Sequence, residues 1–404
     1  MSAPPPSPAP PTAVRLRAGH DRRVLGGHDW VFSNELDADV KGLPMGGKVE
    51  VQDGRGRFIG WGYSNPASLI TVRILSRDPG DDIDSVEFFT RRLTAAVDYR
   101  RRVLPARRSL RLVAAEADLL AGLVIDRYDD VLAVQIGTLG MEVRKPQLQA
   151  AVAAVLQPRG AALRGSATMR KLEGLQSEPT TLWFGEVPDR VPFEENGLSL
   201  EADVLRGQKT GFFFDQADNR AFAFRCAAAE VLDVYANTGA WGVGALRHGA
   251  RSATFIEVSA PTCEVLRENA ARNGVADQIE VITDDAREAM DQLHRAGRRF
   301  DTVYLDPPAF AKSRKSAGVA LKAYRDVNQQ ALRLLRPGGL LFTSSCSHVV
   351  EEERFYEAVT DAARRAGRPL RLVRRGGQAP DHPIHPSIPE TCYLKHYAFA
   401  VGAP

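Results

Sequence analysis

Four acidic residues in the C-terminal half stand at or just past the ends of short apolar runs. They are Asp233 in VLDVYANTG, Glu257 in ATFIEVS, Asp285 in IEVITDDA and Asp306 in VYLDPPAF. Runs of this length, separated by helix-like segments, predict successive strands of a parallel sheet. Their carboxyl ends then share one edge, and open α/β sheets bind ligands at that edge. One acid after one strand is a weak signal; four in succession are a strong one. Glu257 after the second strand can accept both hydroxyls of a ribose. Asp284-Asp285 after the third can accept from an adenine amino group. Gly239, Gly242 and Gly244 follow the first strand with G-x-x-G-x-G spacing, which differs from the dinucleotide fingerprint but still lets backbone approach a ligand closely. A fifth run, LLFTSS, leads into Cys346 at the same edge. No Gly-Lys-Ser/Thr phosphate cradle and no His/Cys cluster at zinc spacing occurs, so neither a P-loop NTPase nor a metal site is expected.

The elements that must position these groups occupy a chain of 404 residues with 53 basic and 50 acidic side chains, a net charge of +3. With 44% hydrophobic and 25% charged residues, the composition is that of a globular protein of about two to three domains. Four cysteines exclude a disulfide framework. No apolar run reaches the ~20 residues of a membrane span, and Met1–Ala13 has no secretory pattern. A cytoplasmic protein without a membrane partner is expected. Residues 1–13 are proline-rich and predict a disordered tail. Residues 14–77 alternate short strands and glycine turns, predicting a small β-barrel. Arginines 15, 17, 22, 23, 55 and 57 lie beside Trp30, Phe32, Trp61 and Tyr63, a mixture suited either to RNA or to a solvated rim over a core. Residues 78–190 predict an α+β domain opening with a helix over Ser85–Val103. That helix and its sequel carry eight arginines (91, 92, 100, 101, 102, 107, 108 and 111), which read equally as a solvated face or a phosphate track. Residues 191–404 hold the parallel sheet.

The motifs LDVYANTG, FIEVS, DDA and LDPPAF resemble those of class I S-adenosylmethionine-dependent methyltransferases. GQKTGFFFDQADNR (207–220), DPPAFAKS (306–313), SSCS (344–347) and DHPIHPSIPETCYLK (381–395) are similar, more narrowly, to the large-subunit ribosomal RNA cytosine-C5 methyltransferases of the RlmI type, over about residues 14–400. The resemblance implies an α/β fold: a C-terminal Rossmann-like methyltransferase domain preceded by a PUA-like RNA-binding barrel and an α+β connector. It implies S-adenosylmethionine as cofactor and ribosomal RNA, the 23S species or a large-subunit particle, as partner; a homodimer is compatible with it. By analogy Asp233, Tyr235 and Gly239 shape the methionine pocket, Glu257 holds the ribose and Asp285 the adenine. Asp215 and Arg220 lie near the amino-acid end, unless they are only structural, with the neighbouring phenylalanines packed and Asp215 paired to Arg220. Asp306 borders the cofactor and the target base.

The implied chemistry turns on a thiol. Carbon 5 of cytosine is too weak a nucleophile to attack a sulfonium methyl, and a thiolate adding to carbon 6 makes it enamine-like. Cys346 is assigned this role. Cys226 sits in an apolar segment, Cys263 on the helix after Glu257 and Cys392 in a late strand. Asp306 orients the base, Pro307 fixes its pocket, Phe310 stacks on it and Lys312 holds a flanking phosphate. Trp241 stands where the family usually has phenylalanine, and Ala217 where arginine is common. Many cytosine-C5 RNA enzymes carry a second cysteine beside the proline motif; here Ala309 and Phe310 follow it. Two other readings stand beside this one: a purine N-methyltransferase that needs no thiol, and a non-catalytic RNA-binding assembly factor. The histidines of DHPIHPSIPE read as site residues or, more simply, as part of a rigid loop over the pocket.

Overall fold

The computed structural model describes residues 12–37, 39–165, 167–207, 210–226, 229–311 and 313–403. Five short strands build the first sheet: β1 (Thr12–Arg15), β2 (Trp30–Phe32), β3 (Lys48–Gln52), β4 (Phe58–Ser64) and β5 (Ile70–Ser76), in the order β1-β3-β4-β5-β2. Alternate residues share a face, so Val14, Val31, Val49, Val51, Val72 and Ile74 meet in one core. A bridge between Leu16 and Leu36 joins the two edges into a barrel. Thr12 and Ala13, assigned above to the tail, pair with Val49 and Glu50; residues 1–11 lie outside the described residues.

The second sheet has the order β10-β9-β8-β7-β6, from β6 (Leu110–Ala114), β7 (Leu123–Tyr128), β8 (Val131–Ile136), β9 (Gly160–Arg164) and β10 (Thr181–Gly185). The helix Val86–Val103 covers it together with Lys145–Leu156; Phe89, Leu93, Leu148 and Val152 pack on Leu123, Ile125 and Val134. Ser85 starts the first helix by accepting the Phe88 N–H (3.1 Å), the ordinary N-cap contact. The barrel docks on this sheet through buried polar contacts. Arg73 pairs with Glu173 at 2.7 Å, and Arg144 donates to the carbonyls of Gly46 and Gly140.

A hairpin, β11 (Val191–Glu195) and β12 (Leu198–Ala202), precedes the third sheet. That sheet comprises β13 (Glu230–Val234), β14 (Ser252–Ile256), β15 (Ile279–Ile282), β16 (Phe300–Leu305), β17 (Leu335–Ser345), β18 (Leu370–Gly376) and β19 (Lys395–Val401), in the order β15-β14-β13-β16-β17-β19-β18. The helices Ala240–Arg247 and Ala260–Arg272 cover one face. Ala286–Arg295, Ala317–Leu334 and Glu352–Ala366 cover the other. Strand order reverses between β13 and β16, the point where doubly wound sheets open a crevice. The five strands expected to be parallel, β13–β17, are so, but β19 runs antiparallel to both β17 and β18. No helix crosses between β18 and β19. The proline-rich segment 377–394 turns the chain back instead, and such a return pairs antiparallel strands. Among the described residues, no helix is long and apolar enough to cross a membrane.

Helix-to-helix contact under this sheet depends on missing side chains. A Cβ on Gly244 would stand 2.0 Å from the Phe224 ring. Gly244→Ala therefore overpacks the core and costs about 1–3 kcal/mol, read as a lower urea midpoint. Gly318→Ala, on a helix with nothing within 4 Å of the new Cβ, is neutral or stabilises by up to ~1 kcal/mol. Equal midpoints for the two variants would contradict this packing.

Candidate active site

Asp233, fully buried near the end of β13, accepts the Gly242 N–H through Oδ2 at 3.0 Å. This bond ties the strand to the first turn of the helix Ala240–Arg247. Burial raises the carboxyl well above the usual range, and the negative Asp306 and Glu257 push the same way. Its Oδ1 is buried and has no hydrogen-bond partner among the described residues. The intervening turn has positive φ at Tyr235 (63°), Asn237 (49°) and Gly239 (84°). Two non-glycine residues there mark a strained backbone. Asn269 holds the turn by donating to the Thr238 carbonyl (3.0 Å). A Cβ on Gly239 would meet Leu266 Cγ at 2.7 Å. Burial pushes the Tyr235 hydroxyl up to about 12.

Glu257 follows β14 and is half-buried. Its Oε2 accepts from the Asn237 N–H (3.0 Å) and its Oε1 from the Ser259 N–H (2.9 Å). The carboxylate is thereby aimed at the turn after β13. Asp285 is exposed and serves as N-cap of the helix Ala286–Arg295, its Oδ1 accepting from the Arg287 and Glu288 N–H groups (2.9 and 3.4 Å). Asp284 Oδ1 accepts from the Asp285 N–H (2.8 Å).

Asp306 follows β16. Its Oδ1 accepts from Gln216 Nε2 (2.9 Å) and its Oδ2 from Trp241 Nε1 (3.4 Å). Gln216 also donates to Ser344 Oγ (3.0 Å), while Asn219 Nδ2 donates to Gln216 Oε1 (2.7 Å), so the amide has a defined orientation. Ser344 Oγ lies 2.9 Å from His396 Nδ1. The hydroxyl can donate to that nitrogen or accept a second hydrogen bond from it. Burial pushes His396 down to about 3, so the ring is neutral. Trp241 stacks between Tyr304 and His396, with centroids 5.2 and 5.7 Å away. Burial raises Asp306 to about 6; Asp215 adds to the rise, and Arg220, Gln216 and Trp241 oppose it.

Register places the thiol beside this carboxyl. Leu305 is opposite Thr343, so Asp306 emerges next to Ser344, two residues before Cys346. Cys346 is partly buried. Pro307 is buried and Pro308 exposed. Phe310 contacts Tyr324 (centroids 4.7 Å) and Tyr235 (6.4 Å), linking the proline turn to the turn after β13. Lys312 lies outside the described residues. Cys226 is half-buried and Cys263 buried. Cys392 corrects the sequence reading: it is exposed in the turn after Pro389–Thr391, and the strand starts only at Lys395.

The segment FFFDQADNR docks through Asp215 Oδ2, which accepts from the Tyr393 hydroxyl (2.7 Å), and through Arg220, bidentate to buried Glu195 at 2.6 and 2.7 Å. Glu195 and His396 escaped the sequence reading, and Gln216, Trp241 and Ser344, though inside motifs already singled out, were given no role in the site.

The arginine run divides: Arg91, Arg101, Arg102 and Arg108 are exposed, whereas others are taken up inside the protein. Arg100 is buried on Asp118 (2.5 and 2.8 Å), and Arg111 on Asp126 (2.7 and 2.8 Å). Arg91 pairs with Asp81, Arg107 with Asp218 and Arg108 with Asp129. Arg100 also donates to the Asp381 carbonyl (2.7 Å), and the Arg111 N–H to Asp381 Oδ2 (3.0 Å). His382 is bonded to Asp381 and His28 to Glu390. The histidine-proline loop therefore clasps the connector and the barrel.

Comparison with known proteins bears on this arrangement. A PUA-like domain family matches residues 14–77, and a family described as conserved hypothetical protein 95 matches 211–365. Ribosomal RNA large subunit methyltransferase I of Tolumonas auensis is 39% identical over 392 residues, covering 95% of this chain and 98% of that protein. Its namesake from Pseudoalteromonas translucida is 36% identical over 389 residues, with 95% and 98% coverage. The chain belongs to the ribosomal RNA large subunit methyltransferase I family. Among solved structures, a chain described as a methyltransferase and complexed with SAH superposes with a TM-score of 0.83 at 18% identity, covering 96% of this chain and all of that one. A Streptococcus mutans chain described as a SAM-dependent methyltransferase gives 0.82, also at 18% identity and with the same coverage. These likenesses show the methyltransferase fold.

Asp306 titrates near 6 in the folded protein, above the ~3.9 of an unfolded aspartate. Protonation therefore favours the fold. That contribution is complete below about pH 4 and is lost as pH rises through about 6. Gln216→Met removes a donor to the carboxylate and moves the midpoint higher still. Carbon-13 NMR of the carboxyl reads both; a wild-type midpoint near 4, unmoved in the variant, would contradict the geometry.

Proposed function

We propose that the protein is an S-adenosylmethionine-dependent methyltransferase forming 5-methylcytidine in large-subunit ribosomal RNA, with Cys346 as nucleophile and Asp306 as the group that orients the base. The observation that carries this reading is the thiol beside a partly buried, amide-oriented carboxyl on adjacent strand ends, at the switch point of a methyltransferase sheet. Family membership supports the RNA substrate class.

Glu257 is fixed by two backbone N–H groups, the geometry a ribose diol needs. Asp233 Oδ1 is a buried acceptor without a partner, and the turn bends sharply at Gly239. These residues fit a cationic amino-acid nucleoside, with Asp285 at its base end. Bound S-adenosylmethionine supplies an electrophilic methyl group. The Cys346 thiolate adds to carbon 6 of cytosine and makes carbon 5 nucleophilic. Asp306, positioned by Gln216 and Trp241, bonds the N3/N4 edge and orients the ring. After carbon 5 accepts the methyl group, its proton leaves to a base or water. The carbon–sulfur bond then breaks, the electron pair returns to sulfur and the ring regains its double bond. Phe310 offers a stacking face to the target base, and Lys312 is placed by the same reading at a flanking phosphate.

Nucleoside mass spectrometry on ribosomal RNA treated with cofactor tests the proposal. Wild type forms 5-methylcytidine. Cys346→Ala loses at least ~10³-fold in rate, about 4 kcal/mol, while its cofactor affinity stays within about twofold. A methylated purine, formed undiminished by Cys346→Ala, would overturn the reading.

A further inference from the structure

Lys395 opens β19 and is only 6% exposed. Its register partner across β17 is Ser345, the residue before Cys346. Its ammonium donates to the carbonyl of Ser347, the residue after Cys346, at 2.6 Å, and to that of Tyr393 at 2.8 Å. The strand that carries this buried cation thus pairs with the residue before the thiol, and the cation itself is pinned to the carbonyl of the residue after it. Lysine has three N–H donors, and these two carbonyls account for two of them.

The charged and titratable groups around Cys346 come from several elements. Tyr324, on the helix Ala317–Leu334, is held protonated by burial, at about 12. Asp306 stands at the end of β16. Cys392 and His348 belong to the adjoining loops, and His348 lies against Tyr393 (5.1 Å). Glu352 is engaged by Arg375 (2.6 Å) and Tyr397 (2.9 Å). Burial lowers the pKa of Lys395, and Cys346 is the strongest opposing influence, ahead of Cys392 and Glu352. Asp306 and Glu352 disfavour a thiolate; Lys395 is the cation placed to favour one.

We infer that Lys395 is a positioning residue for Cys346, its buried ammonium holding the sulfur as the thiolate that the reaction requires. The inference rests on the nucleophilic role proposed above, but it concerns the ionisation of the thiol, which can be measured without RNA.

The test is alkylation of the full-length protein by iodoacetamide between about pH 5 and 10, resolved by peptide so that Cys346 is read alone and Cys226 serves as reference. In wild type, Cys346 reacts with a midpoint below the ~8.5 of an ordinary thiol. In Lys395→Met the midpoint rises by about one pH unit or more. In Lys395→Arg, which keeps the charge, it returns to within about half a unit of wild type. Protection of buried Cys263 and retained cofactor binding show that each variant is folded. A midpoint unchanged in folded Lys395→Met would overturn the inference. A shifted midpoint together with 5-methylcytidine formation that survives Cys346→Ala would leave the electrostatic pair standing and remove the nucleophilic role.

Discussion

The backbone ladder joining β13, β16 and β17 is the constraint on which the site depends. Val234 pairs with Leu305, and Leu305 with Thr343. Three parallel strands in this register must end together, so Asp306, Ser344 and Cys346 emerge within a few residues of one another. A slip of one residue would turn each side chain to the opposite face. Buried side chains on both faces make such a slip costly: Leu232, Val303 and Leu341 pack on one face, Val231, Tyr304 and Phe342 on the other.

Polar groups then refine what the ladder brings together. Gln216 bonds Asp306 and Ser344 at once, and Asn219 fixes the sense of its amide. Ser344 is bonded in turn to His396 on β19. These bonds hold the Asp306 carboxyl in one orientation. The arginines of the connector serve the same end at longer range. Arg100 and Arg111 grip Asp381, and with it the loop that leads into β19 and Lys395. Connector and catalytic edge are therefore mechanically joined through the histidine-proline loop.

Much of this was legible in the chain, for identifiable reasons. Strand-end acids can be read because an apolar run sets the strand and its length sets the end. The helix Val86–Val103 could be read from its apolar spacing, with Ser85 turning out to be its cap. Asp285 shows the ambiguity of such signals, since an aspartate before a helix is also a good N-cap. β2 has only three residues and carries no periodicity. The reversal at β19 depends on which strand it meets, and no local pattern encodes that. The arginine run was ambiguous because its acidic partners lie as far away as Asp218 and Asp126. Gln216, Trp241 and His396 become a unit only in three dimensions, and Lys395 acquires meaning only from its register with Ser345.

Covalent trapping probes the central claim most directly. Large-subunit ribosomal RNA containing 5-fluorocytidine is incubated with the protein and S-adenosylmethionine, and the product is digested and sequenced by mass spectrometry. Fluorine at carbon 5 cannot leave as a proton, so the account predicts a stable adduct of methylated nucleotide on Cys346, formed only with cofactor present. Ordinary RNA acquiring 5-methylcytidine while the fluorinated RNA leaves Cys346 unmodified, or carries its adduct on another residue, would contradict it.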